Sequence, residues 1–156
     1  MKNAEIARQI AAVRLLIQKT STAADGEIEL QAHWAKYLCV LVSGVLENAL
    51  VELYRDFSSK AASEPVANFA GSRLAKIQNP NADRFVQTAR SFKISWGDDL
   101  ALFLESEGRK DAIDSVMNNR HQIAHGKSSG ITIARVGSYL DKAEEALNFI
   151  ERQTTS

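Results

Sequence analysis

Apolar residues in this chain recur every three or four positions and almost nowhere at every second one, and the longest such run extends from Ile28 to about Ala61. A strand sends alternate side chains to opposite faces, so this period suits the apolar stripe of a helix and not the face of a sheet. Only two prolines and eight glycines punctuate the chain, too few turn signals for a fold of many short strands. The pattern predicts an all-α fold, an antiparallel helical bundle whose long second helix is the spine, with additional short helices.

Ile6, Ile10, Val13 and Ile17 mark a first amphipathic helix, and a polar connector around Thr20–Gly26 separates it from the second. Ser63-Glu64-Pro65 is expected to end the long helix. The pattern then becomes choppier, with short helices expected near 66–77, 82–92 and 98–107, separated by Asn79-Pro80-Asn81 and by Lys93-Ile94-Ser95-Trp96-Gly97. A helix from about Arg109 to His125 should stop at Gly126, which can take the left-handed conformation that closes helices. Lys127-Ser128-Ser129-Gly130 reads as a loop and Thr132 as an N-cap, with Ile133, Val136, Leu140, Ala143, Leu147 and Ile150 on a last amphipathic helix. No internal repeat or low-complexity tract divides the chain, so residues 1–156 are expected to form one domain.

Lys plus Arg and Asp plus Glu number 19 each, so a protein that coats nucleic acid through bulk charge is excluded and an anionic partner must be held locally. The single cysteine, Cys39, lies in the apolar run Tyr37–Val42. That rules out a disulfide framework and fits a buried thiol in a reducing compartment, so a cytoplasmic location is expected. Glu5, Arg8 and Arg14 interrupt the first twenty residues against a signal peptide, and Glu47 breaks the longest apolar run too early for a bilayer span; no membrane partner is expected. Trp34 and Trp96 could stack on bases, although core or interface packing is the safer reading for each.

The chemistry is concentrated in Asn118-Asn119-Arg120-His121-Gln122-Ile123-Ala124-His125-Gly126. Arginine is a permanent cation whose planar fork matches phosphate oxygens, and histidine exchanges a proton near neutral pH. With Ile113, Val116, Met117 and Ala124 as the apolar stripe, helical spacing places Arg120 on that stripe and turns its guanidinium inward. An inward arginine requires a counter-charge, and Glu47 of the second helix is the expected partner. From spacing alone, an internal Glu47–Arg120 ion pair tying two helices together ranks ahead of a catalytic reading. His125 lies about 140° around the helix from Arg120, so the two would flank a shared site; a terminal histidine can equally cap free carbonyls. His121 and His125 have the i, i+4 spacing of two metal ligands, but no third ligand is signalled, and neither a metal nor a cofactor is expected.

Arg120 and His125 reproduce an Arg-x4-His signature, and the segment resembles that of HEPN domains; Ser43-Gly44-Val45-Leu46-Glu47 before it resembles the second helix of the RiboL-PSP-HEPN branch. The similarity extends from the long helix through Gly130-Ile131-Thr132 to the last helix. One position differs: the residue after the arginine, frequently Asn or Asp in the family, is His121. The resemblance implies a HEPN-like bundle and a metal-independent endoribonuclease acting as a homodimer, of the kind used as a toxin or in defence, with an antitoxin as a possible partner. Its alternative is a non-catalytic nucleotide-binding or dimerisation module. On the first reading Arg120 and His125 are catalytic on RNA, Glu47, Asn119 and His121 support them, and Lys127 and Arg135 supply local positive charge.

Overall fold

The computed structural model describes all 156 residues as seven helices without a strand. They are α1 (Ala4–Ala23), α2 (Ile28–Ala61), α3 (Glu64–Leu74), α4 (Ala82–Phe92), α5 (Ile94–Leu104), α6 (Arg109–Ala124) and α7 (Ile133–Thr155). All seven contribute to one continuous core of 32 buried residues. The all-α bundle with a long second helix is the architecture observed.

α2 and α7 form the central pair: α2 also packs on α1, α3 and α6, and α7 on α5 and α6. By length and composition α2 could cross a membrane, but Leu38, Cys39, Val42, Leu46, Ala49 and Leu50 are fully enclosed, which makes it the spine of the bundle. Each buried leucine contributes about 1.5–3 kcal/mol of transfer free energy. α1 runs antiparallel to α7. Arg14 pairs with Asp141 and Glu144, while buried Glu151, near the other end of α7, accepts the backbone N–H groups of Lys2 (2.8 Å) and Asn3 (2.7 Å) at the entry to α1. Arg109 at the start of α6 likewise reaches Glu145 of α7 at 2.7 Å.

Several boundaries differ from those expected, including the ends of α3 at Leu74 and α5 at Leu104, each about three residues early. α1 continues through the presumed connector, because Thr20 is buried with its hydroxyl donating back to the Leu16 carbonyl at 2.8 Å; the turn comes only at Gly26, with φ 79°. Pro65 opens α3, occupying a first-turn position where its missing N–H costs nothing. α5 begins at Ile94, so Ile94-Ser95-Trp96-Gly97 is helical and extended Lys93 alone makes the break from α4.

The α3–α4 turn is stitched down by carboxylates from two other helices. Glu47 of α2 accepts the Asn79 N–H at 2.6 Å, and Asp114 of α6 accepts the Ala82 N–H, a free donor at the start of α4, at 2.8 Å. Asn81 caps α4 through the Arg84 N–H.

Candidate active site at the end of α6

The inward stripe of α6 ends earlier than its spacing suggests. Ile113, Val116 and Met117 are buried, Arg120 and Ile123 are half-buried, and His121, Gln122, Ala124 and His125 are exposed. The helix therefore runs past the core for its last turn. Cys39 of α2 meets α6 in the core, its Sγ 3.5 Å from the Val116 carbonyl oxygen.

This geometry corrects the expected counter-ion. Glu47 does not pair with Arg120: its carboxylate is committed to Asn79 and lies on the side of α2 that faces Glu5 and Gln9 of α1. Arg120 has no carboxylate within ion-pairing distance and no hydrogen-bond partner in the chain, and because it is only half-buried it needs none. Ala124, placed on the stripe by its spacing, is solvent-exposed for the same reason.

The helix end itself is tightly determined. His125 is the C-cap residue, with φ −95°, and Gly126 adopts φ 67°. The Gly126 N–H donates to the Ile123 carbonyl at 3.1 Å and the Lys127 N–H to Gln122 at 2.9 Å, the two crossed bonds that close a helix on a left-handed glycine. The His125 imidazole is therefore free of capping duty, which the backbone performs. It lies beside His121, with ring centroids 4.4 Å apart and planes inclined at 57°. Two proton-transfer groups and a guanidinium thus emerge from the last turn and a half of one helix, at the end where the helix dipole favours cations. No group of three or more His, Cys, Asp or Glu residues gathers as a metal cage.

Asn119 occupies a structural position that its sequence did not signal. Its amide donates to the Ser115 carbonyl at 2.8 Å and its Oδ1 accepts the Ser129 hydroxyl at 2.6 Å, while Ser129 Oγ also receives the Ile131 N–H at 3.4 Å. The α6–α7 loop is thereby tied to α6 at Asn119, with His121 and His125 exposed and Arg120 half-buried. Lys127 is exposed immediately beyond the cap. Arg135, in the first turn of α7, donates to the Tyr139 hydroxyl at 3.4 Å; this bond, with a smaller contribution from Asp111, raises its pKa. Asp111 lies in the first turn of α6, away from the motif.

The chain is thus an all-α bundle with Arg120 and His125 at a glycine-closed helix end. A family model described as RiboL-PSP-HEPN matches residues 4–156, and the chain belongs to that family. No curated protein and no solved structure matches it. Membership points to a nuclease or nucleotide-binding module.

Proposed function

We propose that the protein is a metal-independent endoribonuclease that acts as a homodimer, with Arg120 and His125 as its catalytic residues, in the manner of toxin or defence ribonucleases held in check by a cognate antitoxin. The observation that carries this reading is a half-buried guanidinium with no ionic or hydrogen-bonding partner and, five residues on, an exposed imidazole with no capping role, both at one helix end.

His125 of one protomer takes the proton from a ribose 2′-hydroxyl as the 2′ oxygen bonds to the adjacent phosphorus. The P–O5′ bond breaks, a 2′,3′-cyclic phosphate forms, and the partner's His125 protonates the departing 5′ oxygen. Arg120 stabilises negative charge as it grows on the non-bridging oxygens, where its donors are worth most in the transition state. His121 lies close enough to His125 to share the proton traffic or contact the phosphate, Lys127 adds charge beside the cap, and Asn119 keeps the loop clear of the cleft. A second copy has an apolar surface to dock on: Leu30, Tyr37 and Val40 of α2 are exposed, with Trp34 half-buried against Tyr37. The single buried thiol suits a cytoplasmic setting.

The test is cleavage of labelled RNA by purified protein with chelator present. Arg120→Ala and His125→Ala should each lower the rate at least about a hundredfold with folding intact, and RNA with 2′-deoxy substitutions should resist cleavage. Full activity in both variants would sink the assignment. RNA left intact by the unmodified dimer would instead leave the non-catalytic module.

A further inference from the structure

The turn held by Glu47 and Asp114 creates a groove that lies outside the α6 motif. It encloses about 480 Å³ between α3 and α4, within the range of ligand-binding clefts. Leu74, Ile77 and Phe92 form part of its apolar lining, and Arg73, Lys76 and Arg84 bring three cations to it with no carboxylate among the lining residues. None of the three is held in an ion pair elsewhere, a state they share with other cations of the chain such as Arg55 and Lys93. In a chain with zero net charge, three unpaired cations around one concavity make a local positive field that the global balance conceals. Phe69 stands at the same groove with 67% of its surface in water, a large aromatic face with no packing role.

We propose that this groove binds single-stranded RNA, its phosphates held by Arg73, Lys76 and Arg84 and a base stacked on Phe69. Charge and ring together select this occupant. An acidic peptide would satisfy the cations and leave the exposed phenyl ring idle, and an apolar helix would bury the cations unpaired, whereas a single strand offers phosphates at regular intervals with a π face between them. Phosphate contacts position a strand without reading sequence, so the groove would increase affinity for long RNA while the α6 motif cuts it. The assignment of RNA as ligand rests on the ribonuclease reading.

Fluorescence anisotropy with a twelve-nucleotide oligouridylate, on a His125→Ala background that leaves the strand uncut, tests the groove directly. Combined Arg73→Gln, Lys76→Gln and Arg84→Gln should weaken binding at least about tenfold at low salt and reduce the slope of log affinity against log salt by about 2, near 0.7 for each phosphate contact. Phe69→Ala should weaken it about tenfold with the salt slope unchanged. Thermal unfolding matching the parent's establishes that the fold is retained; all four side chains are exposed. Unchanged affinity in both variants overturns the proposal, as does an oligoglutamate that displaces the strand from the parent but not from the charge-removed variant while binding more tightly than RNA. Weakened binding in these variants, with no cleavage by the unmodified protein, keeps the groove and refutes the ribonuclease. Cleavage by the unmodified protein with unchanged binding in the variants refutes the groove alone.

Discussion

Replacing Arg109 with methionine keeps an unbranched apolar stem of similar reach and removes only the guanidinium, so the loss measures the latch that fixes the start of α6. That group is 10% exposed and each of its three nitrogens is hydrogen-bonded. Nε donates to Glu145 at 2.7 Å, one terminal nitrogen to the Ser106 hydroxyl at 2.7 Å and the Phe103 carbonyl at 3.2 Å, and the other to Glu107 at 2.9 Å. The guanidinium carbon also lies 3.9 Å above the centre of the Phe103 ring, which itself stacks on Phe149. Glu107 is 63% exposed, so its ion pair is screened and adds little. The charge-assisted bond to Glu145, a carboxylate held below its ordinary pKa chiefly by that bond, is worth about 1.5 kcal/mol at this partial exposure. The Phe103 and Ser106 acceptors lose donors at a cost of about 1 kcal/mol, and the ring contact adds about 0.5–1 kcal/mol. The expected loss is about 3 kcal/mol, or roughly 6–12 °C in Tm for a chain of this size. Urea unfolding followed by far-UV circular dichroism reads it, provided the denaturant slope is unchanged. Arg120→Met is the matched control: with no partner to lose, it should stay within about 0.5 kcal/mol. A loss under about 1 kcal/mol for Arg109→Met, or an equal loss for both variants, would refute the division of structural from free arginine.

Two further outcomes follow from the packing. Burial pushes the Cys39 thiol from 9.0 up to about 11, so between those values the unfolded chain releases a proton that the folded one keeps. Stability should therefore be whole below pH 9 and fall by about 2–3 kcal/mol as pH rises to 11; urea midpoints measured across that range should lose this component in Cys39→Ala, and an identical decline in the variant would show that the thiol is not responsible. Gly97→Ala pits helix propensity against contact: propensity alone favours alanine by about 1 kcal/mol, but the added Cβ would lie 2.5 Å from Arg90 Cβ and 3.0 Å from its Cα. Separation of α4 from α5 should win and lower Tm, with a net cost of about 1–3 kcal/mol; a raised Tm would show that the two helices can part freely.

The helices were legible because their apolar spacing repeats over many residues, as in Ile133, Val136, Leu140, Ala143, Leu147 and Ile150, all buried as expected. The closure at Gly126 was legible because only a residue that tolerates positive φ ends a helix in that way. Spacing misled at Arg120 and Ala124, where it reports which side of a helix a residue occupies but not whether anything lies opposite. The break at Ser63-Glu64-Pro65 falls where expected, with Pro65 also serving the first turn of α3, but the sequence misled at Ile94–Gly97, where a glycine that looks like a break serves a close helix crossing. The Glu47 assignment failed for a related reason: a carboxylate on a long helix has several sides to choose from, and the turn at Asn79 took it.

The sequence by itself determined the all-α class, the long spine, and the Arg120–His125 motif with its glycine stop, because each depends on periodicity or on local backbone preference. Which polar groups meet was decided only by the tertiary structure. Arg109, and not Arg120, became the interlocked arginine; Asn119 acquired Ser129; and Arg73, Lys76 and Arg84, which lie on two helices and a turn, were gathered around one groove beside Phe69. Such meetings depend on the angles at which helices pack and on the path of the turns between them, quantities that no single stretch of chain encodes.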